Sequence, residues 1–131
     1  MSLLACVLVL CGGFLGGIAR FFISGVIGRW IGQTFPWGTM IVNVTGAFLI
    51  GIYFAVAARH PEGALGSELL RDFVVVGVFG GYTTVSSFSL QTLNLALDGE
   101  SVQATFNVLG SVSLCVAAVA MGHYLAILAL G

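Results

Sequence analysis

Lysine is missing altogether, and the positive charge of the chain rests on four arginines, Arg20, Arg29, Arg59 and Arg71. Carboxylates are almost as scarce: Glu62, Glu68, Asp72, Asp98 and Glu100 fall in two short stretches that read as loops. Only 7% of the residues are charged and 59% are hydrophobic, whereas about a quarter of a soluble domain is charged. That balance excludes a soluble globular fold, and the lack of a basic cluster excludes nucleic acid as a partner. No carboxylate stands inside a long apolar stretch, so the acid that a proton relay or a cationic-drug antiporter needs at membrane depth is absent. No nucleophile–base set and no phosphate loop occurs, and the chain does not read as an enzyme. Cys6, Cys11 and Cys115 are odd in number and all sit in apolar stretches, which argues for free thiols used as small packing residues. His60 and His123 have no ligand partners in the sequence and read as interfacial.

The apolar stretches themselves are long. A helix crosses the hydrocarbon core in roughly 20 residues, and four segments qualify, at about 3–27, 37–58, 73–97 and 102–130. They predict an all-α integral membrane protein with a single four-helix transmembrane domain over 1–131. The first segment has no basic n-region, and the bulky Leu10 before Cys11 fits a lipoprotein cleavage site poorly, so it is read as a retained span. Pro36 and Trp37 suit an interfacial start to the second span and Pro61 marks its exit. An even number of spans puts both termini on one side. That side carries Arg59 and Arg71; the other carries Arg29 and, if it snorkels, Arg20. So small a bias barely specifies an orientation. Two readings stay open: a single topology set by other factors, or insertion both ways followed by assembly of an antiparallel dimer.

Polar residues inside the spans need partners, because lipid offers the backbone none. In "GGYTTVSSFS", residues 80–89, a glycine pair precedes six hydroxyl side chains: Tyr82, Thr83, Thr84, Ser86, Ser87 and Ser89. Glycine costs a helix about 1 kcal/mol and Ser and Thr compete for its backbone, so residues 80–84 are a candidate break in the third span. The carbonyls freed by such a break can bind a cation; a merely bent helix with back-bonded hydroxyls is the alternative. Thr39 and Asn43 are spaced i, i+4 on the second span, and Asn107 and Ser111 likewise on the fourth, with Cys115 one turn on. Phe88 lies three residues after Val85 and four after Thr84. These stripes converge either as interhelical hydrogen-bond glue or as a polar track. A track of hydroxyl and amide donors without acids accommodates an anion, and a phenyl edge such as that of Phe88 adds electropositive character. Arg20, near the end of the first span, is read as a structural anchor.

Together these residues resemble the Fluc/CrcB family of small fluoride channels. The match runs through "GGFLGGIARF", "PWGTMIVNVTGAFLIG", "GVFGGYTTVSSFSLQT" and "NVLGS", one motif from each span. The resemblance implies an antiparallel, dual-topology homodimer with two narrow pores in a bacterial-type inner membrane, exporting cytoplasmic fluoride passively. It implies a structural sodium ion at the dimer centre, held by backbone carbonyls of Gly80 and Thr83 from both chains. Asn43 would donate to the ion pathway, and Thr84, Ser86, Ser87 and Ser111 would form its polar track, with Thr39 a weaker candidate. Phe88 matches the second of two pore-lining phenylalanines. At the first, where the family commonly reads "TTFSTFS", this chain has "TTVSSFS", so Val85 stands where a ring is expected. Some relatives carry Tyr where this chain has Asn107. Two other readings remain: a coupled fluoride exporter of the same fold, and a non-conducting membrane scaffold.

Overall fold

The computed structural model describes residues 2–131, and among them every regular element is helical. Four helices are long and apolar enough to cross a membrane: Leu3–Ile31, Trp37–Arg59, Glu68–Leu97 and Ser101–Leu130. The third divides in two, so the elements are α1 (Leu3–Ile31), α2 (Trp37–Arg59), α3 (residues 68–82), α4 (Val85–Leu97) and α5 (Ser101–Leu130).

Local capping sets the ends. The Ser2 hydroxyl accepts from the Ala5 N–H at 3.2 Å and starts α1. The helix runs four residues past the expected 27, since Arg29 in its last turn suits the negative end of the helix dipole. It stops at Gly32, whose φ of 107° lies in the left-handed region. The third span begins earlier than expected, because Ser67 caps it by accepting from the Leu70 N–H at 3.3 Å and Glu68 occupies the first turn. Residues read from sequence as loop are therefore already helical. Just before them a short 3₁₀ turn, Ala64–Gly66, is tied back to α2 by the Tyr53 hydroxyl, which donates to the Leu65 carbonyl at 3.0 Å. Within α3, Asp72–Phe79 are wound as a π-helix, wider than an α-helix.

Packing is interleaved along the chain: α1 lies chiefly against α3, and α2 chiefly against α5. Both pairs meet backbone to backbone through glycine. A Cβ at Gly12 would collide with Phe73 and Gly77, and one at Gly16 with Val78 and Tyr82. In the other pair, a Cβ at Gly51 would strike Val119 and His123, and one at Gly122 would strike Phe48. Buried positions are mostly small, such as Ala5, Ala55, Ala104, Ala118 and Ala126, while Phe21, Phe22, Trp30 and Leu97 face outward. That distribution suits lipid as solvent, where helices associate by close approach of small residues. At the end of the bundle where α1 turns into α2, Phe35 stacks on Trp37 with centroids 4.7 Å apart and on Phe106 at 5.4 Å. At the opposite end Arg59 donates to the Leu130 carbonyl at 3.2 Å, closing α2 onto the last turn of α5.

Replacing Gly51 by Leu forces two backbones apart, and the folded, monodisperse species should be lost in size-exclusion chromatography. Gly110→Ala meets its nearest neighbour, Met40 Cε, at an ordinary 3.5 Å. It should leave the profile unchanged and raise thermal stability by up to ~1 kcal/mol.

Candidate functional site

The helical backbone ends at Tyr82, and the last helical bond of α3 is the one Thr83 N–H donates to the Phe79 carbonyl at 2.9 Å. Thr83 (φ −77°, ψ 157°) and Thr84 (φ −151°, ψ 117°) are extended, and helix resumes at Val85. Two extended residues at membrane depth need outside partners for their peptide groups. The carboxamide of Asn43 supplies both for Thr84. Its Oδ1 accepts from the Thr84 N–H at 2.7 Å, and its Nδ2 donates to the Thr84 carbonyl at 2.9 Å. Because one partner is an obligate donor and the other an obligate acceptor, the orientation of the amide is settled by chemistry. Asn43, expected as a pathway donor, thus commits its oxygen and one N–H to the backbone, leaving its second N–H.

Thr84 also starts α4. Its Oγ1 accepts from the Ser87 N–H at 3.1 Å and lies 3.1 Å from Ser86 Oγ and 3.2 Å from Ser87 Oγ. Since Thr84 donates its one proton to Ser87, Ser86 is the donor in its own contact, and the Ser87 proton is left over. A second chain of bonds runs along the other side of α4. Ser111 Oγ donates to Asn107 Oδ1 at 3.4 Å, Asn107 Nδ2 to Thr92 Oγ1 at 2.9 Å, and Thr92 Oγ1 to the Phe88 carbonyl at 2.7 Å. Asn107 is only 2% exposed, so its amide joins α5 to α4.

The expected residues divide between two open grooves that share Thr84. One, of about 460 Å³, is bordered by Asn43, Thr83, Thr84, Val85, Phe88 and Ser111. The other, of about 640 Å³, opens beside α1 and holds Arg20, Ser24, Thr39, Thr84, Ser87 and Gln91. Asn43 and Thr39, one turn apart on α2, therefore serve different grooves. Asn107 borders neither and Ser86 is exposed. Arg20, read as an anchor, stands half-buried among the hydroxyls of the second groove. Gln91 was missed by sequence reasoning. Its Oε1 is the one buried side-chain oxygen or nitrogen among the described residues without a hydrogen-bond partner. Its position one turn after Ser87 was the available signal. Thr92, one turn after Phe88, was missed as well.

Among the described residues no group of three or more His, Cys, Asp or Glu side chains is placed to hold a metal ion. Backbone oxygens offer a different donor set. The N–H groups that would ordinarily close a helical turn onto the Gly80 and Thr83 carbonyls belong to Thr84 and Ser87. They are directed instead to Asn43 Oδ1 and Thr84 Oγ1. Neutral carbonyls of this kind fit a hard monovalent cation.

The sequence of the chain has relatives among known proteins. Residues 7–123 match the family described as CrcB-like protein, Camphor Resistance (CrcB). The chain is 56% identical over 123 residues to the fluoride-specific ion channel FluC 4 of Brucella abortus biovar 1 (strain 9-941), covering 94% of this chain and 92% of the relative. It is 57% identical over 124 residues to FluC 3 of Brucella suis biovar 1 (strain 1330), with 94% and 92% covered. It is 51% identical over 117 residues to the fluoride-specific ion channel FluC of Opitutus terrae (strain DSM 11246 / JCM 15787 / PB90-1), with 88% and 87% covered.

Asn43→Asp keeps the acceptor for the Thr84 N–H but sets a carboxylate oxygen against the Thr84 carbonyl. The loss should be on the order of 2 kcal/mol or more, read as a lowered melting temperature of the detergent-solubilised protein, with Asn43→Gln intermediate.

Proposed function

The chain belongs to the CrcB family, and from that membership we propose that it is a fluoride-specific ion channel, a multi-pass protein of a bacterial membrane. It is a channel and not an enzyme. The observation that carries this reading is the identity of over half the residues, across almost the whole chain, with relatives named for that activity.

The finer assignments are ours; they follow the resemblance to the family, and the geometry supports them. We read the extended pair Thr83–Thr84 as the functional break of the third span. Fluoride would move along the grooves that Thr84 joins, stabilised by hydrogens not already committed inside the protein. Those are the second N–H of Asn43, the free proton of Ser87, and the Ser111 proton, whose internal bond is long at 3.4 Å. A small anion stripped of water gains charge-assisted hydrogen bonds from such donors. The Phe88 edge supplements them, and Arg20 raises the local anion concentration from within the α1-side groove. Ser86 and Thr39 belong to the same track at its margins. Asn107 acts from behind, by holding Thr92 against the Phe88 carbonyl.

Two grooves open at the surface of one copy are completed, in this reading, by a second copy in the opposite orientation, which also agrees with the balanced arginine count. Gly80 and Thr83 carbonyls from both copies would hold a sodium ion at the shared axis; when bound it supplies the positive charge that offsets carbonyls turned toward one another. Transport is passive electrodiffusion. Undissociated HF leaks inward in acid surroundings and ionises in the neutral cytoplasm, and a negative-inside potential drives the anion out, across a cytoplasmic (inner) membrane. One observation favours a second reading, a non-conducting scaffold: Val85, 76% exposed at the groove, has no electropositive ring edge where the resemblance expects one.

Fluoride efflux from proteoliposomes, followed with an electrode, separates the two. The parent chain should conduct and Phe88→Ile should abolish efflux. Val85→Phe should conduct at least as fast as the parent. Folded dimers that stay silent in all three forms would leave the scaffold standing.

A further inference from the structure

Thr84 is not the only residue at the break that α2 holds. Thr45, two positions beyond Asn43, has its Oγ1 2.9 Å from the hydroxyl of Tyr82. Thr45 gives its own proton to the Ile41 and Val42 carbonyls, at 2.8 and 3.1 Å, so Tyr82 is the donor of the pair. The Tyr82 side chain is buried, at 8% exposure, and this contact satisfies its oxygen. Between the two tethers, Gly46 leaves a notch. A Cβ there would run into the Thr83 methyl and come within 3.2 Å of the Tyr82 ring. Asn43, Thr45 and Gly46 on one helix therefore locate Thr84, Tyr82 and Thr83 on the other.

Thr83 is the residue whose carbonyl direction matters, and its own remaining bonds do little to aim it. Its N–H and its hydroxyl both go to the Phe79 carbonyl, each at 2.9 Å, which holds the end of α3, while its carbonyl belongs to the peptide whose N–H, that of Thr84, is bound by Asn43 Oδ1. The direction of that peptide is fixed by its flanks: Thr84 through Asn43, and Tyr82 through Thr45. We propose that the Tyr82–Thr45 hydroxyl pair is a positioning device for the Thr83 carbonyl, and sets the sodium affinity of the chain without touching the ion. The proposal rests on the reading of the Gly80 and Thr83 carbonyls as a cation site. Ordinary interhelical glue at this place would support stability and assembly and leave the sodium requirement where it was.

The test uses full-length protein, purified and reconstituted with sodium replaced by N-methylglucamine, and fluoride efflux measured as sodium is restored. Tyr82→Phe removes one oxygen and keeps the ring; Thr45→Ala removes the acceptor; Thr45→Ser keeps it. Tyr82→Phe and Thr45→Ala should each raise the half-saturating sodium concentration about three-fold. The double variant should go no further than either, Thr45→Ser should match the parent, and efflux at saturating sodium should be parental throughout. A sodium-dependent parent with variants that titrate identically overturns the proposal and leaves the cation reading intact. So does a double variant whose shift is the product of the two single shifts. A parent indifferent to sodium overturns the cation reading, and the proposal with it. Loss of dimer assembly by both hydroxyl-less variants at saturating sodium, read by size exclusion, assigns the pair to folding and also overturns the proposal.

Discussion

Two hydrogen bonds from one carboxamide make the rest of this structure tenable. Thr84 is extended in the middle of a span, where the surroundings offer no water to its peptide N–H and C=O. Asn43 meets both, at 2.7 and 2.9 Å, as a neighbouring strand would. With that demand met, Thr84 is free to use its side chain as the cap of α4, and the serines that follow are held in turn by Thr84. The direction of α4, the position of Phe88 on it and the relay through Thr92 and Asn107 all depend on this one exchange.

The neutrality of the machinery follows from the same economy of charge that marks the sequence. Every hydrogen bond between residues 43, 84, 86, 87, 92, 107 and 111 joins amides, hydroxyls and carbonyls. Bonds among neutral groups carry no net charge into lipid, so the desolvation cost remains that of dipoles rather than ions. The one charge drawn toward this set is Arg20, and it stands half-buried in the open groove beside α1.

Much of this was legible in the residues, and the limits are instructive. Hydropathy marked the spans because composition alone separates them from their charged connections, while their ends depended on caps such as Ser67 and Gly32 that spacing does not rank. The π-winding of Asp72–Phe79 left no trace in the sequence; the same segment is pressed by its backbone onto Gly12 and Gly16 of another helix. The i, i+4 spacing of Asn107 and Ser111 is realised as a hydrogen bond. The same spacing in Thr39 and Asn43 gave two residues that line different grooves, because which way each is drawn depends on a helix forty residues on. Thr45 was passed over since a single hydroxyl in an apolar helix gives no periodic signal, whereas Gln91 had one in its i, i+4 spacing from Ser87.

The interleaved pairing has a bearing on how the chain is made. The partner of α1 is two helices downstream, and the glycine face of α2 waits for α5, three helices further along the chain. Neither pair consists of neighbours in sequence, so the first two spans enter the membrane without their main partners. Until the third span arrives, Asn43 and the notch at Gly46 face lipid or water without their final contacts. Insertion and packing are therefore separate acts in the biogenesis of this protein, the first sequential and the second completed only once α5 has arrived. A chain cut short after the third span, with the glycine face of α2 uncovered, would reach the membrane as a substrate for quality control.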